Sequence, residues 1–226
     1  MSHEGAFFQL LRLASPALPV GAYSYSQGLE SAIDAGLVSN AASALRWLGD
    51  LLEGPVATFD APLVAAAWEA ARAADHQALG RLNRRFLASR ETAEQRRETC
   101  QMGYSLRTLL DALPEGAAIH WPATEGGELC YPLAYALAAR AFGLGVDEAV
   151  GSWIFGWLEN QWAVLMKAMP MGSTAAQQGL SGLMPALVRA RGRALAIGEA
   201  DWSTLAPVFG WVAARHESQY SRLFRS

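Results

Sequence analysis

The sequence predicts an all-α protein, a single compact multi-helix domain over residues 1–226, with helices joined by short loops. Runs rich in Ala, Leu, Arg and Glu follow one another along the chain, broken at Gly36, Gly54-Pro55, near Asp75, at Pro114 and at Pro170, where helices stop. Within the runs, apolar residues recur at i, i+3, i+4 and i+7. Strand signals are nearly absent: alternation of apolar and polar residues never extends beyond about four positions, and no Asn-Gly turn occurs.

An N-terminal segment, 1–17, leads into a stretch dense in small and turn-forming residues, 18–30. Pro19 and Gly21 punctuate it, and Ser24 or Ser26 offers a side-chain oxygen to cap the helix that follows. Gln27, three residues after Ser24, has the spacing of a capping box. A cap has no use for Tyr23 and Tyr25, which together with Glu30 point to a partner surface. Asn40 caps a helix over 41–53, with Leu45, Leu48, Leu51 and Leu52 on one face. Asp60 caps the next, with Pro62 tolerated in its first turn.

Residues 90–113 form the longest predicted helix, opening with six charges in nine residues. Arg90 with Glu94, and Glu94 with Arg97, have the spacing of surface pairs. Residues 115–128 are the longest irregular piece. A central helix over 147–169 carries Trp153, Ile154, Trp157, Leu158, Trp162 and Leu165, apolar around most of its circumference, so it is buried in the chain or in a homodimer interface. Lys167 ends this helix, where its charge suits the C-terminal dipole and where it is equally free to meet a partner's carboxylate or phosphate. The segment 215–226 interleaves three arginines and His216 with Tyr220, Leu223 and Phe224. It reads as a docking tail, loose alone, with Tyr220 and Phe224 on one face of a helical turn as anchors; a solvated tail is the other reading.

Composition narrows the function. Hydrophobic residues make up 52% and charged residues 17%, with a mean hydropathy of +0.11. The apolar surplus must enter a core, a membrane or a partner. A membrane span needs about 20 apolar residues in a row. The two candidates, 129–146 and 150–166, are interrupted by Arg140 and by Glu159-Asn160-Gln161, so no span is expected. No basic region precedes an apolar stretch at the N-terminus, and Cys100 and Cys130 read as reduced thiols, which together suggest a cytoplasmic protein. A net charge of −3 is too small to suggest nucleic acid or an anionic membrane. A partner surface remains, and 8 Trp, 6 Tyr and 8 Phe supply the aromatics that interfaces favour. Residues 189–226 carry six arginines against three carboxylates, a net of +3, on a body of −6: a basic end suited to something acidic.

A catalytic set is not legible. The four histidines, His3, His76, His120 and His216, form no pair at helical metal-site spacing. No phosphate-binding G-x-x-x-x-G-K-[ST] and no G-x-S-x-G occur. The thioethers of Met166, Met169 and Met171 are soft ligands that most divalent metals pass over for imidazole and harder donors, which leaves His216 beside Glu217 as the best of weak metal candidates; no metal site is assigned.

Four blocks carry a family resemblance: Leu18-Pro19-Val20-Gly21-Ala22-Tyr23-Ser24-Tyr25-Ser26-Gln27-Gly28-Leu29-Glu30; Ser89-Arg90-Glu91-Thr92 with Arg97 and Gln101-Met102-Gly103-Tyr104-Ser105-Leu106; Lys167-Ala168-Met169-Pro170-Met171-Gly172 with Gln177 and Gln178; and the tail from Ala214 to Ser226. In this order they resemble the signatures of the urease accessory protein UreF family. One departure is visible, Gly172-Ser173-Thr174 where the family commonly has Gly-Gln-Thr. The resemblance implies an all-α urease maturation chaperone and not an enzyme. It would pair with itself as a homodimer in the complex and bridge the nickel-carrying GTPase UreG and the accessory protein UreD (UreH in some organisms). The complex would dock on apo-urease, handling the nickel, with no cofactor bound tightly by this chain. The implied partner-binding residues are Tyr23, Ser24, Tyr25, Ser26, Gln27, Glu30, Arg90, Glu91, Lys167, Pro170, Gly172, Gln177, His216, Glu217, Tyr220, Arg222 and Phe224. Tyr23, Tyr25, Glu30 and Lys167 are expected to face the GTPase, and the tail UreD. A helical scaffold with a different client is the alternative.

Overall fold

A computed structural model describes residues 3–169 and 172–226. Its helices are α1 (His3–Ala14), α2 (Leu29–Asp34), α3 (Ala41–Leu51), α4 (Ala61–Arg72), α5 (His76–Ala88), α6 (Ala93–Asp111), α7 (Tyr131–Ala141), α8 (Val146–Ala168), α9 (Ser173–Ala196) and α10 (Pro207–His216). No strand occurs among the described residues. The described residues are all-α, as the sequence predicts.

Helix α8 forms the axis. Helices α1, α2, α4, α7 and α9 pack around it, α6 lies on α7, and α10 lies on α2. Trp153, Ile154, Leu158, Trp162 and Leu165 are all buried, whereas Phe155 and Met166 are exposed. The apolar circumference that suggested an interface is thus taken up by the chain's own core.

Helix starts follow local chemistry. Asn40 caps α3 as expected: its Oδ1 accepts from Ser43 N at 3.0 Å, and Ser43 Oγ accepts from Asn40 N at 3.1 Å. The expected helix over 90–113 is shorter, because Thr92 is extended and its Oγ1 accepts from Gln95 N at 3.1 Å, so α6 begins at Ala93. Both α8 and α9 exceed it in length, and α9 carries Pro185 inside. Asp60 caps nothing. The chain runs helically through the wide-turned segment Leu52–Asp60, opened at Gly54 before Pro55, directly into α4. Asp60 instead pairs with Arg90 at 3.2 Å.

Neither serine of the 18–30 stretch caps a side-chain bond at α2. Gly28 holds the N-cap position with φ 78°, and Val212 and Phe209 of α10 pack against its bare Cα. The irregular piece after α6 contains two short 3₁₀ turns, Pro114–Ala118 and Glu125–Gly127. Asn83 of α5 pins its end, donating to Glu128 O and accepting from Cys130 N, both at 2.8 Å.

Candidate partner-binding surface

The segment 18–30 and the tail after α10 lie against each other and against α6 and α8. Ser24 O accepts from Arg225 N at 2.8 Å, Ser26 N donates to Ser226 O at 2.7 Å, and Ser26 Oγ donates to the same oxygen. Glu30, only 7% exposed, accepts from Leu223 N at 2.6 Å and Phe224 N at 3.1 Å. Its Oε2 also lies 3.3 Å from His216 Nε2.

His216 is 1% exposed and meets a second carboxylate on its other nitrogen, Glu94 Oε2 at 2.7 Å. Arg222 completes the cluster, donating to Glu94 Oε1 at 2.7 Å and to Glu217 O at 2.6 Å. Glu217 Oε1 accepts from Ala93 N and Glu94 N at 3.0 and 3.3 Å, occupying donors left over at the start of α6. The tail therefore docks on something acidic within its own chain.

A second polar lane runs beneath. Ser226 Oγ and Gln27 Nε2 each donate to Glu98 at 2.7 Å, Gln161 Nε2 donates to Gln27 Oε1 at 3.3 Å, and Asn160 Nδ2 donates to Tyr25 O at 3.1 Å. Burial pushes the Glu98 carboxyl above its ordinary value of 4.5; the bonds from Ser226 and Gln27 and the charge of Arg90 oppose this, and Asp60 adds to it. Burial likewise raises the Tyr25 hydroxyl, with the Glu98 charge adding and Arg225 opposing. For Glu98 the folded chain holds the proton more tightly than the unfolded chain does. Its contribution to stability is therefore complete below the ordinary carboxyl range and lost as pH rises through the raised value. A Glu98→Gln variant, which does not titrate, should gain stability relative to the parent as pH is raised from about 4 to about 7. Chemical denaturation across that range checks it; a parallel pH dependence in both proteins would contradict it.

The expected partner residues divide into two groups. Ser26, Glu30, His216 and Phe224 are buried in the chain's own interior, so the expectation that Glu30 stands on a partner surface is corrected. Tyr25 is buried beside them, and Ser24 and Gln27 act through the bonds given above. Arg90 is mostly enclosed, its guanidinium 4.1 Å from the Phe86 ring centroid and paired with Asp60. The other group is accessible: Tyr23, Tyr220, Arg222, Glu217, Glu91, Gly172 and Gln177 are exposed. Exposed Lys167 lies with its ammonium 4.4 Å from the Phe224 ring centroid and donates to Leu223 O at 3.3 Å. Pro170 lies outside the described residues.

The tail differs from expectation in shape. It is folded onto the body, helix α10 ends at His216, and Phe224 points inward while Tyr220 points outward, so they are not paired anchors on one helical face. Glu94, Glu98, Asn160, Gln161 and Ser226 belong to the assembly and were not anticipated. The signal for two of them is in the sequence: Glu94 and Glu98, like charges four apart on one helix, repel unless cationic or donor groups meet them.

Comparison with known proteins identifies the family. The UreF family model matches residues 38–184. The chain belongs to the UreF family. It is similar along nearly its whole length to proteins named urease accessory protein UreF. The one from Azotobacter vinelandii is 50% identical over 221 residues, covering 96% of this chain and 97% of that protein. Those from Ectopseudomonas mendocina and Azoarcus sp. are 49% and 47% identical, each over 96% of this chain and over 97% and 94% of their own lengths. The family is one of accessory proteins, not of enzymes. Among the described residues of this family member, no helix is long and apolar enough to cross a membrane.

Proposed function

We propose that this chain is a urease maturation chaperone that works by holding other proteins: it bridges the nickel-carrying GTPase UreG and the accessory protein UreD, pairs with itself in that complex, and promotes nickel insertion into apo-urease in the cytoplasm. Nickel is cargo of the complex in this reading. The observation that carries it is the fastening of the 18–30 segment to the tail through Glu30, His216 and Glu94, which makes one continuous surface of two family signatures. Tyr23, Lys167, Tyr220 and Leu223 stand exposed around that seam, aromatic, apolar and cationic groups of the kind that anchor interfaces. The buried residues shape the surface, and the exposed ones contact the partners.

Co-expression with UreG and UreD, together and in pairs, tests this. The parent should co-purify with both. A Tyr23→Ala/Tyr220→Ala variant should keep its thermal stability, since exposed substitutions usually change it by within about 0.5 kcal/mol, while losing co-purification. Full-strength co-purification by that variant would remove these side chains from the interface, and failure of the parent to bind either protein would favour a scaffold with a different client. Lys167→Ala should cost about 1 kcal/mol or less, the range of a cation–π contact at an exposed site; denaturation measures it.

A further inference from the structure

A cavity of about 360 Å³ opens away from this surface, where the turn between α4 and α5, the end of α7 and the segment after the Pro114–Ala118 turn meet. Arg72, His76, His120 and Arg140 line it, over an apolar floor that includes Leu79 and Leu137, and no acidic side chain is among its lining residues. The fold brings His76 and His120, 44 positions apart, edge to face with ring centroids 6.4 Å apart.

The charges around the cavity are unbalanced. The Arg140 guanidinium has no ion-pair or hydrogen-bond partner among the described residues. Arg72 is held by Glu69 through Nε at 2.7 Å, so its two terminal nitrogens stay open. The nearby Asp75 carboxylate is engaged with Ala78 N at 2.9 Å, at the start of α5. Two imidazoles this close could suggest a metal, but two guanidiniums on the same rim repel a cation, and the described residues contain no group of three metal-ligating side chains. The same groups suit an anion. Guanidinium forks match the two oxygens of a carboxylate or phosphate, and an imidazole N–H adds a donor. The volume is at the small end of the range for ligand pockets, roughly 300–1,000 Å³.

We propose that this cavity binds a small organic oxyanion, a carboxylate or phosphate monoester carried on a short apolar body. The oxyanion lies between Arg72 and Arg140, and the body rests on Leu79 and Leu137. The site is independent of the partner-binding reading and stands or falls separately from it.

The test is an NMR titration of the full chain at constant ionic strength with butyrate, with monobutyl phosphate and with chloride. The readouts are the imidazole C–H resonances of His76 and His120, assigned with His76→Gln and His120→Gln, and the buried His216 resonance monitors the fold. Butyrate or monobutyl phosphate should shift the His76 and His120 resonances saturably while leaving His216 in place, and whichever binds tighter identifies the headgroup. Affinity should fall at least tenfold in Arg72→Gln and in Arg140→Gln and stay unchanged in Arg84→Gln, an exposed arginine of α5 outside the cavity. Shifts that do not saturate, that chloride reproduces, or that Arg84→Gln weakens equally would overturn the site. Tighter binding of Ni²⁺ or Zn²⁺ at the two histidines would overturn the charge argument.

Discussion

Replacing Glu30 by Ala should lower the stability of the chain by about 3 kcal/mol, at the upper end of what hydrogen bonds to a charged group contribute. The carboxylate accepts from two backbone N–H groups of the tail and meets His216, and the buried site gives those groups no replacement acceptor. Burial and shared partners also predict strong non-additivity. In a chain already lacking residues 219–226, the same substitution should cost much less, because the two N–H groups it served are gone. Chemical denaturation of the four proteins measures the coupling. Equal costs in the full-length and shortened chains would mean that Glu30 does not hold the tail.

Gly103→Ala should be at least as damaging, for a different reason. Alanine is the better helix former by about 1 kcal/mol, so an open site in α6 would gain stability. At Gly103 an added Cβ would fall 2.0 Å from Leu129 O and 3.1 Å from Cys130 C, backbone atoms just before α7. Neither can move without disturbing the Asn83 bond to Cys130 N and the Thr99 bond to Tyr131 N. The strain should outweigh the propensity gain and leave a net loss of about 3 kcal/mol, as overpacking a filled interior does. A thermal midpoint at or above that of the parent would show that α6 and α7 can separate freely there.

Much of the fold was legible because it rests on local chemistry. The capping box at Asn40 and the extent of α8 follow from residues a few positions apart. The tail was not legible, because what orders it is non-local: His216 finds its carboxylates 122 and 186 positions away, and Phe224 packs beneath a lysine from another helix. The basic end on an acidic body was visible as charge, but charge alone does not say whether the acidic surface belongs to the same chain. Asp60 looks like a cap because Pro62 fits a helix's first turn, whereas the helical path after Gly54 runs through Asp60 directly into α4. The split of the 18–30 stretch into buried clamps and exposed anchors was likewise hidden, since Ser26 and Glu30 look like surface residues until Ser226, Leu223 and Phe224 cover them.

The central claim is that the 18–30 segment and the tail form one unit, fastened by buried carboxylates, before any partner arrives. Amide hydrogen exchange on the isolated full-length chain tests it most directly. The amides of Leu223, Phe224 and Arg225, which donate to Glu30 and Ser24, should be protected in the parent. In Glu30→Ala they should exchange at the rate of an open chain, while the amides of α7 and α8 keep their protection. Rapid exchange of those three amides in the parent, with protection gained only on adding a partner, would contradict the account.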